Sequence, residues 1–374
     1  MSRILKIQAL AHRAVSLLGK TGRQSTVAKR QRADFYRAAW QDAARLLGAD
    51  AETLDHDVLL IRGNGQSTRV LLNYTELDDP VSLRIAGNKP LVHKLLHTRG
   101  VPVPKYREFT LNGIAEAAEF LQAHGTCVVK PASGTGGGSG VTTGIRSSRQ
   151  LRKASVLAAG HGSELIIEQQ IPGTNLRLLF LDGQLLDAIE RRPPTVTGDG
   201  RSTMSQLVDA VNQRRLQGGF SVAQSILERD ADMRQTLAGQ GLTLSSVPSK
   251  DAVVQLKTVI NDNTAEDNVC IADTLHPAVI DVARDAANAV GLRLAGVDIV
   301  TSNPSHCLAE TGGVVLEVNS APGLYFHYAG SKTRKPVAIP VLAACLNYSI
   351  EPDTWNTPEA ASLPDGICEP APTV

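Results

Sequence analysis

The chain has 374 residues, 42% of them hydrophobic but only 4% aromatic, so roughly two or three domains must build their cores from Leu, Val, Ile and Ala. Its 38 Lys and Arg offset 37 Asp and Glu, and the net charge of +1 excludes a global field suited to nucleic acid or acidic lipid. Cys127, Cys270, Cys307, Cys345 and Cys368 show no C-x-x-C or Cys/His ligand spacing, which excludes a disulfide framework and fits free thiols in a reducing compartment.

The first 37 residues carry nine Lys and Arg and one acid, Asp34. Ile4, Ile7, Leu10, Ala14 and Leu17 recur at helical spacing, so 4–19 reads as an amphipathic helix and not as a transit peptide, and a cytosolic protein is expected. A polar linker over 20–30 and a helix over 31–48 follow. Strands at 57–62 and 68–73 flank Gly63-Asn64-Gly65, a hairpin signal, and a short helix over 79–86 ends at Gly87. Residues 1–87 thus read as an N-terminal α+β domain.

From Asn88 the pattern changes. Helices are expected over 89–98, stopped by Gly100, and over 113–124. A strand at 127–130 and another at 141–145 enclose a glycine-rich loop, 133–140. A helix over 148–158 leads to a strand at 164–169, closing a lobe at 88–172. A second lobe, 173–350, holds a hairpin (176–181 and 184–191), helix over 202–235, and a polar, irregular stretch at 239–270 expected to be a flap. It continues with a helix over 277–290 capped by His276, and strands at 295–301 and 314–319. The apolar run 337–345 is too short to span a bilayer and contains Pro340. The Pro-rich tail, 351–374, is expected to lack fixed structure.

Four segments carry chemistry. In Val-Val-Leu-Glu-Val-Asn (314–319), strand alternation turns Glu317 and Asn319 to one face and Leu316 and Val318 to the other. Asp298 stands alone in the apolar Ala-Gly-Val-Asp-Ile-Val (295–300), where an unpaired carboxylate costs several kcal/mol. If the two strands are neighbours, the three side chains form an oxygen site for a hard cation; otherwise Glu317 and Asn319 face water on an edge and Asp298 caps a turn. In Val-Val-Lys-Pro-Ala-Ser-Gly-Thr-Gly-Gly-Gly-Ser-Gly (128–140), glycines open the backbone as an anion nest beside Lys130, or form a plain flexible loop. Glu-Gln-Gln-Ile (168–171) offers exit groups to an adenine edge, or is an ordinary strand end. Arg191, held before Pro193-Pro194, is either a phosphate clamp or a solvated arginine.

The order of these segments resembles the ATP-grasp superfamily. Ile-Pro-Gly-x-x-x-Arg (171–177), Thr-Gly-Asp-Gly-Arg (197–201) and Glu-Thr-Gly-Gly-Val-Val-Leu-Glu-Val-Asn-Ser-Ala-Pro-Gly (310–323) resemble, more narrowly, the ATP-grasp domain of cyanophycin synthetases and related peptide ligases. The resemblance implies an α+β / α/β fold in which two lobes hold ATP. It implies that Lys89 and Lys130 contact phosphates under a loop including Ser133, Gly134, Gly136, Gly137 and Gly138. Glu168, Gln169 and Ile171 would hold adenine, Asn175 the ribose, and Asp298, Glu317 and Asn319 Mg²⁺ (or Mn²⁺). Arg191 would lie near the triphosphate and Arg177 would grip an acyl phosphate or carboxylate. Asn175 stands where many members have an acid, and Asn261-Asp262-Asn263-Thr264 stands where cyanophycin synthetases have a Ser-Thr-Gly-Gly run.

The implied activity is an ADP-forming carboxylate–amine ligase acting on amino acids or short peptides, in a homodimer, without nucleic-acid or membrane partners. A protein-modifying ligase, a carboxylate–thiol ligase and a non-catalytic ATP-binding regulator are the other readings.

Overall fold

The structure, a computed structural model, describes Leu5, Gln8, residues 23–55, 57–135, 138–217, 226–260, 267–328, 335–351 and Trp355. The expected helix over 4–19 and the tail fall outside these residues, apart from Leu5, Gln8, Glu351 and Trp355. Trp355 is buried against the N-terminal core, which corrects the expectation of a wholly unstructured tail at that residue.

Helix α1 (Arg23–Leu46) starts earlier than the expected 31, just after Gly22, because residues 23–30 contain no Gly or Pro to interrupt a helix. Its buried face, Phe35, Tyr36, Ala39, Trp40 and Ala43, follows helical spacing. Strands β1 (Asp50–Asp55), β2 (Val58–Gly63) and β3 (Gln66–Leu71) form an antiparallel sheet. Asn64 and Gly65 both adopt positive φ, 52° and 70°, as a tight hairpin turn demands. The sequence gives no sign of β1, an exposed and acidic edge strand.

Helix α2 (Pro80–Ala86) is capped by Asp79, whose carboxylate accepts from the Val81 and Ser82 N–H groups. Asn88 caps α3 (Lys89–Thr98) in the same manner. Next come β4 (Tyr106–Phe109), α4 (Ile114–His124), β5 (Cys127–Pro131), β6 (Thr142–Ile145), α5 (Ser148–Ala159) and β7 (Leu165–Gln169). The strands make a four-stranded antiparallel sheet in the order β4-β7-β5-β6, with Phe120 and Leu121 of α4 and Leu151 and Ala154 of α5 in its core.

Strands β8 (Thr174–Leu181) and β9 (Gln184–Arg191) precede a small unit with its own core: β10 (Thr195–Thr197), α6 (Met204–Gln217), α7 (Ala231–Gly239) and β11 (Val253–Gln255). Here two expectations fail. The single helix over 202–235 is replaced by α6 and α7, and the irregular stretch 239–270 supplies both β11 and β12 (Asn268–Cys270). Strands of three residues are too short to show a period. Helix α8 (Pro277–Val290), with His276 Nδ1 accepting from Ala278 N–H at 3.2 Å, leads to β13 (Leu294–Thr301), α9 (Leu308–Thr311), β14 (Val314–Ser320), α10 (Tyr325–Tyr328) and α11 (Ala338–Cys345). No helix among the described residues is long and apolar enough to cross a membrane.

The larger sheet runs β12-β9-β8-β13-β14, antiparallel throughout. Residues directly opposite in such a ladder share a face. Asp298 pairs with Arg177 and Glu317, Gly296 with Asn319, and Asn175 with Arg191, so one face carries all these groups. The other face, including Leu176, Leu178, Phe180, Val297 and Ile299, is buried under Val279, Ala283 and Ala286 of α8. At one end of the polar face, Leu179, Leu181 and Leu294 pack with Phe35, Tyr36 and Trp40 of α1. Helix α1 thereby roofs that end of the sheet.

Candidate active site

The three expected metal ligands meet. Asn319 Nδ2 donates to Asp298 Oδ2 at 3.1 Å, and Glu317 is the cross-strand partner of Asp298. Among the described residues no group of three or more His, Cys, Asp or Glu is placed to hold a metal. A cation at this place would therefore rest on two carboxylates and the Asn319 amide oxygen, a hard donor set suited to Mg²⁺ or Mn²⁺. Arg177 Nε and Nη2 both donate to the Asp298 carboxylate, Nη2 at 2.8 Å. Burial alone would raise the Asp298 carboxyl, but the Arg177 charge and hydrogen bond outweigh it and hold the group below the usual range.

Helix α3 connects this face to the smaller sheet. Lys89, its first residue, is buried and reaches Glu317 Oε1 at 3.2 Å, while its backbone N–H donates to Ala132 O at 3.0 Å. The glycine-rich loop therefore starts beside the lysine that touches Glu317 of β14. On β5, Lys130 pairs with Glu168 Oε2 of β7 at 2.8 Å, and both are buried. One turn after Lys89, His93 Nε2 lies 3.3 Å from Leu316 O and 3.7 Å from Glu168 Oε1. This imidazole was not singled out by the sequence, where only its i+4 spacing from Lys89 marks it.

Burial holds His93 below its ordinary range against the pull of Glu168, with Lys130 adding to the depression. The folded protein thus keeps His93 neutral where the unfolded chain, with an imidazole at about 6.5, takes a proton. Because the unfolded state binds more protons below that point, stability falls as pH drops through it. His93→Asn removes this contribution, so the urea midpoint should decline less between pH 7.5 and 5.5 than in the parent protein. An identical decline in the two proteins would contradict the burial account.

Ser133 bridges to Asn88, and Gly134, Gly138 and Gly140 all take φ near 75° (73°, 73° and 77°). At Gly140 a Cβ would meet His161 Cδ2 at 2.8 Å, so the return of the loop needs glycine. Gly136 and Gly137 lie outside the described residues, as do residues 261–266. Glu168 presents its side chain to Lys130, with Oε1 unbonded. Gln169 N–H donates to Lys105 O, and Gln170 Oε1 accepts from Gly144 N–H at 2.7 Å. Ile171 and Asn175 are partly exposed. Arg191 is buried; its Nη2 donates to Ile260 O at 3.4 Å and its guanidinium lies 5.3 Å from the Phe326 ring centre. Burial and then the Arg177 charge pull it down to about 10, with Asp298 and Glu317 opposing, which leaves it cationic at neutral pH.

A second buried charge cluster lies on the same face of β9. Asp187 accepts from His327 Nδ1 at 2.7 Å and from Lys335 Nζ at 3.1 Å, and it tethers the segment after β14. Burial would raise this carboxyl, yet the hydrogen bond and charge of His327 and the charge of Lys335 hold it low. A lone acid in Leu-Leu-Asp-Ala-Ile is the same signal that marked Asp298, and it was available in the sequence.

Cyanophycin synthetase from Trichormus variabilis is 34% identical over 266 residues, covering 71% of this chain and 29% of that protein. The glutathione biosynthesis bifunctional protein GshAB from Mannheimia succiniciproducens is 32% identical over 273 residues, covering 70% of this chain and 36% of that protein. A solved bifunctional glutathione synthetase from Pasteurella multocida superposes with a TM-score of 0.55 at 25% identity, covering 83% of this chain and 43% of that one. The chain belongs to the ATP-grasp superfamily. No protein-family profile matches it. This ATP-grasp chain spans only about a third of the length of the curated relatives it matches (29% and 36%). Its four- and five-stranded antiparallel sheets give the mixed α+β architecture of an ATP-grasp fold, and Lys89 of α3 reaches Glu317 on the larger one.

Proposed function

We propose that the chain is an ATP-dependent carboxylate–amine ligase that forms a peptide or isopeptide bond through an acyl phosphate and releases ADP and phosphate. The observation that carries this reading is the convergence of Asp298, Glu317 and Asn319 on one sheet face, touched by Lys89 from the helix that also meets the glycine-rich loop. ATP lies between the sheets, its phosphates on Lys89 and Lys130 beneath the loop that includes Ser133, Gly134 and Gly138. Glu168, Gln169 and Ile171 frame the adenine, and Asn175 faces the ribose. Magnesium held by the three oxygen ligands would supply charge neutralisation at the β- and γ-phosphate oxygens.

The chain's own residues position and neutralise. Arg191, fixed by Ile260 O and the Phe326 ring, faces the charge that develops on the transferred phosphoryl group. A substrate carboxylate attacks the γ-phosphorus as its bond to the ADP oxygen breaks. The amine then attacks the acyl carbon, loses a proton, and phosphate departs. Positioning does most of this work, and no Ser, Cys or His acts as a covalent nucleophile. The names of the relatives support amino acids or short peptides as substrates.

The test is incubation with ATP, Mg²⁺, pooled amino acids and hydroxylamine. The expected products are a hydroxamate and ADP; AMP with pyrophosphate would refute the acyl-phosphate route.

A further inference from the structure

The Asp298 carboxylate is already engaged on both oxygens. Arg177 Nε and Nη2 donate to them, Nη2 at 2.8 Å, and Asn319 Nδ2 adds a bond to Oδ2 at 3.1 Å. This bidentate pair is nearly enclosed, with side-chain exposures of 11% and 19%. The oxygens that Arg177 holds are the ones the proposed metal contact needs. A guanidinium and a divalent cation sharing one carboxylate in a weakly screened cleft repel each other strongly.

The backbone next to the pair is shaped for this arginine. Arg177 and Asp298 face each other across β8 and β13, and the neighbouring position on β13 is Gly296. A Cβ there would meet Arg177 Cδ at 3.2 Å and Nη1 at 3.3 Å. The missing side chain thus leaves the space in which the guanidinium lies. Of the five N–H groups of Arg177, one on Nε and one on Nη2 serve Asp298, and Nη1 takes no hydrogen-bond partner among the described residues. The arginine is therefore tied to Asp298 of β13 on one edge and open to an anion on another.

We propose that Arg177 is the resident counter-ion of Asp298, and that the divalent cation displaces it and hands the guanidinium to the anionic oxygens of the substrates. The inference rests on the ligase reading of this site. Until the cation arrives, pairing with Asp298 taxes any anion that needs Arg177; after it arrives, that tax is lifted. Metal and anionic substrate therefore favour each other's binding, and by linkage the effect is reciprocal.

The experiment measures Mn²⁺ binding to the full chain without nucleotide, by the electron paramagnetic resonance signal of the free ion. Arg177→Gln removes the competing charge and should bind Mn²⁺ about tenfold tighter or more, as expected for a close unit charge. Arg177→Lys, which cannot make the bidentate pair, should fall between it and the parent, and Glu317→Gln should bind more weakly than the parent. Arg177→Gln leaves Asp298 without its cation; if that variant lacks a cooperative melting transition, Arg177→Lys decides alone. Mn²⁺ bound by both Arg177 variants no more tightly than by the parent overturns the displacement while leaving the ligase reading intact. Failure of the parent to bind Mn²⁺ even with ATP present overturns both.

Discussion

Glu317→Gln should lower turnover by on the order of a thousandfold while the protein stays folded. The substitution preserves shape and one oxygen, so Lys89 Nζ, now 3.2 Å from Glu317 Oε1, keeps an acceptor. Glu317 retains 32% side-chain exposure, which means that its charge is not what holds the sheet together. What disappears is one of the two carboxylates of the proposed metal site, and with it the local negative charge that would retain a divalent cation. The check is the rate of ADP release alongside the thermal midpoint. Near-parental turnover would discredit the metal assignment, whereas loss of the melting transition would show that Glu317 is structural.

Lys130→Met should fail differently, through the fold as well as the chemistry. Lys130 and Glu168 are both buried and form an ion pair at 2.8 Å, and His93, which also lies near Glu168, is held neutral. Removing the lysine leaves an uncompensated buried carboxylate, a loss of about 3–5 kcal/mol. Adding Glu168→Gln removes the stranded charge, so the double variant should recover much of the lost stability. It should not recover ATP binding, because the cation proposed to face the phosphates is gone. Because Lys130 also depresses His93, the single variant's penalty should shrink in mild acid, where His93 can take a proton beside Glu168. Urea titrations at pH 8 and pH 6 check both statements; equal stabilities of the single and double variants would contradict the pairing.

The contrast between these variants reflects which features were legible in the sequence. Alternation alone set Glu317 and Asn319 on one face and Val318 on the other, and the isolated acid in an apolar strand marked Asp298. Gly63-Asn64-Gly65 announced its hairpin because only certain residues tolerate its dihedral angles. The pairings were not legible. Arg177 and Asp298 lie 121 residues apart, and only the strand order of the sheet brings them together. Lys130 and Glu168 depend likewise on β5 and β7 being neighbours. His93 escaped notice because its role exists only where a helix passes between two sheets. The strands β10 and β11 escaped because three residues carry no period, and β1 because an exposed edge needs no apolar face.

The most direct measurement follows the oxygen that the proposed chemistry must move. Amino acids labelled with ¹⁸O in their carboxylates, supplied as a pool with ATP and Mg²⁺, should yield inorganic phosphate carrying one ¹⁸O, visible as an isotope shift in the ³¹P spectrum. That label arrives only if the carboxylate attacked the γ-phosphorus and phosphate left from the acyl carbon. Turnover that releases phosphate without the label, or that releases label in AMP, would contradict the account.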